Sequence, residues 1–203
     1  MLGESFSGKN PSHFQMSPIV KSYIVGDSLL WSAWNLTTPI FAIFFINGIH
    51  NGNVQLAATG YSIYLVSRVV FELLTGPYLA KSTDRKKFIA TCTGMVLISF
   101  AYLGFSVSTE IFQVFIFYAL AGMGLGIASP AKNSLFSMHL DKNKESEEWS
   151  ISDAISFVCM ALATALGGLI AGQYGFKVLF YVAAIINMIG IIPYLPYVFK
   201  RDN

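Results

Sequence analysis

Three ionisable side chains, Asp27, Arg68 and Glu72, stand inside long stretches of apolar sequence. A charge at the centre of a membrane-spanning helix costs about 2.5–3.5 kcal/mol on insertion scales, so such groups face a cavity or a partner and mark solute and ion pathways. Asp27 belongs to a stripe with Trp31, Asn35 and Thr38, spaced four, four and three apart on one helical face, with Trp34 beside it. A second series, Tyr61, Tyr64, Arg68, Glu72 and Thr75, follows with helical spacing. Polar groups alternating with aromatic faces are what a solute pathway needs, because hydrogen bonds replace the solute's water while rings cover its apolar parts. The competing readings are a self-neutralised pair for Arg68 and Glu72, four apart on one face, and hydrogen-bonded helix packing for the rest.

The elements that must position these residues follow from composition. Of 203 residues, 54% are hydrophobic and 12% charged, about half the charge of a soluble domain. Apolar runs near the 20 residues that cross a bilayer fall at about residues 19–47, 56–79, 88–107, 111–131, 151–172 and 178–198, which predicts six transmembrane helices with short connections. Residues 1–18 form a polar tail without signal-peptide features, and residues 199–203 a second tail. The opening Met and the polar end KRDN suit a complete small protein or an expressed half. With the N-terminus inside, eleven Lys and Arg lie in inner segments and only Lys177 in an outer one. This bias places both termini in the cytoplasm, in a plasma or bacterial-type inner membrane. Cys92 and Cys159 form no CxxC, no metal or cofactor is expected, and no nucleic-acid partner is implied.

Span one contains Pro39, expected to bend it. Span four reads AGMGLGIASP, where Gly122, Gly124 and Gly126 favour close packing and Pro130 is expected to interrupt the helix. In span five, Ser156, Met160 and Thr164 share a face read as packing. The segment HLDKNKESEEWS reads as a solvated linker.

Between spans two and three lies GPYLAKSTDRKK, Gly76 to Lys87. Ala80, Lys81, then Asp84, Arg85, Lys86 and Lys87 resemble the loop between the second and third helices of the major facilitator superfamily of transporters, G-x-x-x-D-R-x-G-R-K, with Ala80 in place of the first glycine. The stretches GIASPAKNSL and LGGLIAGQYGFKVLFYVAA are similar to the same superfamily, through Gly167, Gly168, Gly175, Phe176, Lys177 and Phe180. The resemblance implies an all-α fold that is half of a twelve-helix transporter. Because the halves of that fold are parallel repeats, two copies of one chain could rebuild it as a parallel homodimer. Ala80, Lys81, Asp84, Arg85 and Lys86 are read as gating residues, with salt bridges expected from this base-rich turn to Glu145, Glu147, Glu148 and Asp153 near the same cytoplasmic mouth. Ala163 and Thr164 replace the Gly-Pro of the antiporter motif, and YLPYVFKRDN lacks the sugar-porter signature, so substrate class does not transfer.

The expected function is transport of a small polar or amphipathic organic solute by alternating access, with proton coupling open and symport and uniport both allowed. An isolated half of a twelve-helix transporter and a non-transporting scaffold remain alternatives. An intramembrane enzyme is disfavoured, because His13, His50 and His139 lie outside the spans and HExxH is absent. Asp27 and Glu72 come out at similar depth from the 1.5 Å helical rise, so Arg68 is expected to alternate between them.

Overall fold

The computed structural model describes residues 16–199. Most of the two expected tails, with Lys9, His13, Lys200 and Arg201, lies outside the described residues. The architecture is all-α: α1 Pro18–Thr37, a 3₁₀ turn Thr38–Ile40, α2 Phe41–Gly48, α3 Val54–Ala80, α4 Asp84–Val107, α5 Ile111–Met138, α6 Glu145–Ile189, a second 3₁₀ turn Ile192–Tyr194 and α7 Leu195–Phe199. Apolar runs of this length become helices because lipid offers no partner for backbone N–H and C=O groups. Their starts carry local stop-and-cap chemistry. Ser17 accepts from Val20 N–H ahead of Pro18, Asn53 accepts from Leu56 N–H, and Glu110 with Gln113 forms a capping box.

Five helical runs are long and apolar enough to cross a membrane, where six spans were expected. Spans one to four correspond to Pro18–Gly48, Val54–Ala80, Asp84–Val107 and Ile111–Met138, and the last two lie within Glu145–Phe199. A straight α6 of 45 residues would extend about 67 Å at 1.5 Å per residue, more than twice a bilayer core of about 30 Å. It is not straight. Gly175, at φ 82° and ψ 170°, adopts a backbone region essentially closed to other residues. Side-chain contacts show the direction reversing there. Ser156 pairs with Ser28, and Thr164 with the Asn35 carbonyl, so the first arm runs parallel to α1. Beyond Gly175, Asn187 binds the Met95 carbonyl and Ser99, and Tyr194 reaches the Tyr23 carbonyl, so the second arm runs back along α1 and α4.

Pro39 breaks the first span as expected, splitting it into α1 and α2 through the 3₁₀ turn. Pro130 does not act this way, since α5 is continuous across it. The three glycines of α5 pack in two directions. A Cβ on Gly126 would lie 2.7 Å from the Arg68 carbonyl and from Phe71 Cβ, whereas one on Gly124 would meet the Gly94 carbonyl of α4 at 2.6 Å. Residues 122 and 126, one turn apart, let α3 approach, and 124 lets α4 approach. The expected close packing of this segment is what the structure shows. Around them sits a core of rings, with Phe41 against Phe105 at 5.0 Å and against Tyr118 at 4.7 Å.

Candidate functional site

The predicted stripe on the first helix divides between two places. Trp34 and Thr38 line a cavity of about 310 Å³ with Tyr61 of α3, Tyr102 and Phe105 of α4, and Tyr118 of α5. The cavity lies toward the end of the bundle opposite the 81–87 turn, beside the 3₁₀ turn that contains Pro39. No charged side chain lines it. The Tyr102 hydroxyl is fully buried, with the Thr37 side chain as its polar neighbour. The Thr37 hydroxyl, also at the cavity, donates to the Trp34 carbonyl, as does that of Thr38.

From the cavity a ladder leads toward the middle of α3. Trp34 packs on Tyr64 with centroids 4.7 Å apart, and Tyr61 stacks on Tyr64 at 5.5 Å. Arg68 reaches the Tyr64 hydroxyl at 3.5 Å and closes a salt bridge to Glu72 at 2.9 Å. The self-neutralised pair read from the sequence is therefore formed. Trp31 packs at the core edge, and Asn35 donates to the Trp31 carbonyl one turn back.

Asp27 faces another environment. Its buried carboxylate takes an ion-paired hydrogen bond from Lys132 of α5, whose ammonium also donates to Asn133 and lies 5.2 Å from the Tyr23 ring. Tyr23 in turn donates to Asn133 at 3.2 Å. Asp27 and Arg68 do not share a contact; each has its own partner, and this corrects the expected three-charge arrangement. In sequence, Lys132 lies one residue past the expected end of the fourth span at 131. The continuous passage of α5 through Pro130 puts it instead inside the bundle, 3% exposed at the side chain. Lys132 lies 105 positions from Asp27, so no local spacing rule links them.

At the basic end, the turn resembles a clasp. Asp84, in the first turn of α4 where a carboxylate favours the helix dipole, lies 3.2 Å from His139 Nε2 and 3.8 Å from Lys87 Nζ. Arg85 donates to the Val198 carbonyl at 3.0 Å. Lys87, 2% exposed, reaches Met138 Sδ, whereas Ala80, Lys81 and Lys86 stand exposed. The turn thus binds the ends of α5 and α7. The described contact from turn to linker joins the Asp84 carboxylate to the His139 ring, with the acid on the turn, whereas acids of the linker were expected to meet bases of the turn. Glu148 is fully buried and accepts from Asp141 N–H, so the linker is not uniformly solvated; helix α6 already begins at Glu145. Among the described residues no group of three or more His, Cys, Asp or Glu could hold a metal ion.

The family model described as Major Facilitator Superfamily matches residues 25–203. No curated protein matches the chain significantly.

Proposed function

The chain belongs to the Major Facilitator Superfamily, and on that premise we propose that it moves a small polar or amphipathic organic solute by alternating access, as a parallel homodimer of half-transporters. Members of this superfamily are membrane transporters and not enzymes, which removes the intramembrane-protease alternative. The observation that carries the paired reading is the Arg68–Glu72 bridge. Its side chains are 29% and 34% exposed near the middle of α3. Only 11% of the most apolar stretch of α3 is buried, against 44–56% in the other four runs. Charges exposed to hydrocarbon at that depth carry the insertion cost given above; a second half, with a watered cavity between, removes it.

The reversal at Gly175 supports counting the last run as two crossings, six in all, with both described ends on one side. The Lys and Arg bias supports that side as cytoplasmic. In this reading the cavity by Trp34 and Tyr61 and the ladder through Tyr64, Arg68 and Glu72 form the pathway wall, and the Asp84 clasp steadies the cytoplasmic gate. Any proton coupling would be sought at Asp27, the buried acid of α1 that pairs with Lys132 of α5.

Purified protein in proteoliposomes, offered labelled sugars, amino acids, organic acids and uncharged aromatic solutes with and without a proton gradient, tests the reading. Accumulation of at least one solute, lost in Arg68→Ala, is expected. Cysteines at Asn53 and Glu110 should label from outside, and those at Ser82 and Asn143 from inside. A monomer that transports in lipid refutes the pairing, and reversed labelling refutes the orientation.

A further inference from the structure

We propose that Met138 is an oxidation site, and that its sulfoxide oxygen takes the buried Lys87 ammonium as donor and so ties the start of α4 more firmly to the end of α5. The proposal stands on the geometry of the basic end and does not depend on the transport reading.

A poorly satisfied cation comes first. Lys87 is 2% exposed, and an ammonium carries three donors, each of which needs an acceptor once water is excluded. Its described acceptor is the Met138 sulfur at 3.0 Å, a thioether and therefore a weak one. Asp84 lies 3.8 Å away, beyond hydrogen-bond length, and stands closer to the His139 ring, at 3.2 Å. The other buried lysine among the described residues shows the contrast: Lys132, 3% exposed, holds both the Asp27 carboxylate and the Asn133 side-chain oxygen. A second donor converges on the Met138 sulfur, the Ser134 hydroxyl one turn back at 3.5 Å. Donors from α4 and from α5 thus meet at one weak acceptor.

Access comes second. Met138 is the last residue of α5 and is 61% exposed, so a water-soluble peroxide reaches its side chain. Met95 is fully buried, and Met188, 47% exposed, lies inside the last apolar run rather than at its end. In the reaction the sulfur lone pair attacks one oxygen of hydrogen peroxide, and the O–O bond breaks as the S–O bond forms. The departing hydroxide takes the proton that the transferred oxygen gives up, which leaves sulfoxide and water, with sulfur oxidised and peroxide reduced by one electron pair. Thiol-dependent reductases take the oxygen off again. Sulfoxide formation ordinarily disrupts packing, because it puts a polar group among apolar ones. Here the new oxygen forms beside two donors, and the unbranched, flexible side chain can turn it toward them. A hydrogen bond from an ammonium is about twice as strong as a neutral one, so Lys87 exchanges a weak acceptor for a strong one.

The test treats the purified full chain in detergent with hydrogen peroxide and reads two quantities: which methionines gain oxygen, by peptide mass, and the thermal unfolding midpoint, by tryptophan fluorescence. Met138 is expected to gain oxygen first, ahead of Met188. At the dose that oxidises Met138 alone, the midpoint should rise by about 2–4 °C, the shift that one net hydrogen bond makes in a chain of this size. Met138→Leu under the same treatment should show no rise, and neither should Lys87→Leu, which removes the donor. Met138→Gln, which puts a side-chain carbonyl near the same place, should raise the midpoint without peroxide, and it decides the matter if Lys87→Leu does not fold. Oxidation of Met188 before Met138, or a midpoint that falls or stays unchanged once Met138 is oxidised, overturns the proposal. So does a rise that persists in Met138→Leu or Lys87→Leu, or a Met138→Gln protein no more stable than the parent.

Discussion

Removing Lys132 should damage this protein more than removing both members of its ion pair. The Asp27 carboxylate and the Lys132 ammonium are 9% and 3% exposed at their side chains, so neither can recover water when its partner is lost. Two unit charges about 4 Å apart attract by about 4 kcal/mol at an effective dielectric of about 20, and breaking a buried pair costs about 3–5 kcal/mol. Lys132→Met should lie toward the upper limit, because Lys132 is the described donor to Asp27 and the carboxylate is left bare. Asp27→Asn should lie toward the lower limit, because the ammonium keeps Asn133 and the Tyr23 ring. The double variant has no charge at this site and retains only an under-bonded amide, a loss of about 1–3 kcal/mol. Equilibrium unfolding of the purified protein in one detergent, followed by tryptophan fluorescence, gives all four corners of the cycle. The reasoning predicts a coupling of several kcal/mol, with the double variant more stable than Lys132→Met. Single effects that add to within about 0.5 kcal/mol, as independent sites do, would refute it.

Two glycine substitutions test the fold by the same unfolding assay. Gly175→Ala should cost about 1–3 kcal/mol, because its φ of 82° with ψ near 170° is strained for any residue with a Cβ, although no atom lies within 4 Å of the added carbon. Gly168→Ala, also in open space but helical, should be neutral or stabilising by up to about 1 kcal/mol; equal losses at both would show that the turn conformation is not the cause. Gly126→Leu should lower stability by at least about 1–3 kcal/mol through overpacking, because its first carbon already meets the α3 backbone at 2.7 Å. A fully stable Gly126→Leu protein would show that α3 is not seated on α5 as described.

Much of the framework was legible in the sequence because it depends on near neighbours. Apolar runs separated by charge must become helices in lipid, Pro39 cannot continue the hydrogen-bond ladder, and Arg68 with Glu72 at i and i+4 must meet if the helix forms. The candidate stripe was visible as a helical period, but a period cannot say what faces it. Tertiary packing alone decided that Asp27 pairs with Lys132 across 105 residues while Trp34, two turns along the same helix, opens onto a cavity. It also decided that Gly124 and Gly126 serve different neighbours, and that Gly175 reverses the chain within what is otherwise an unbroken helical run. The physical reason is that sequence specifies which groups cannot be left in lipid. Which partner satisfies each of them depends on the azimuth and crossing of helices far apart in the chain, and those are set only when all the faces pack at once.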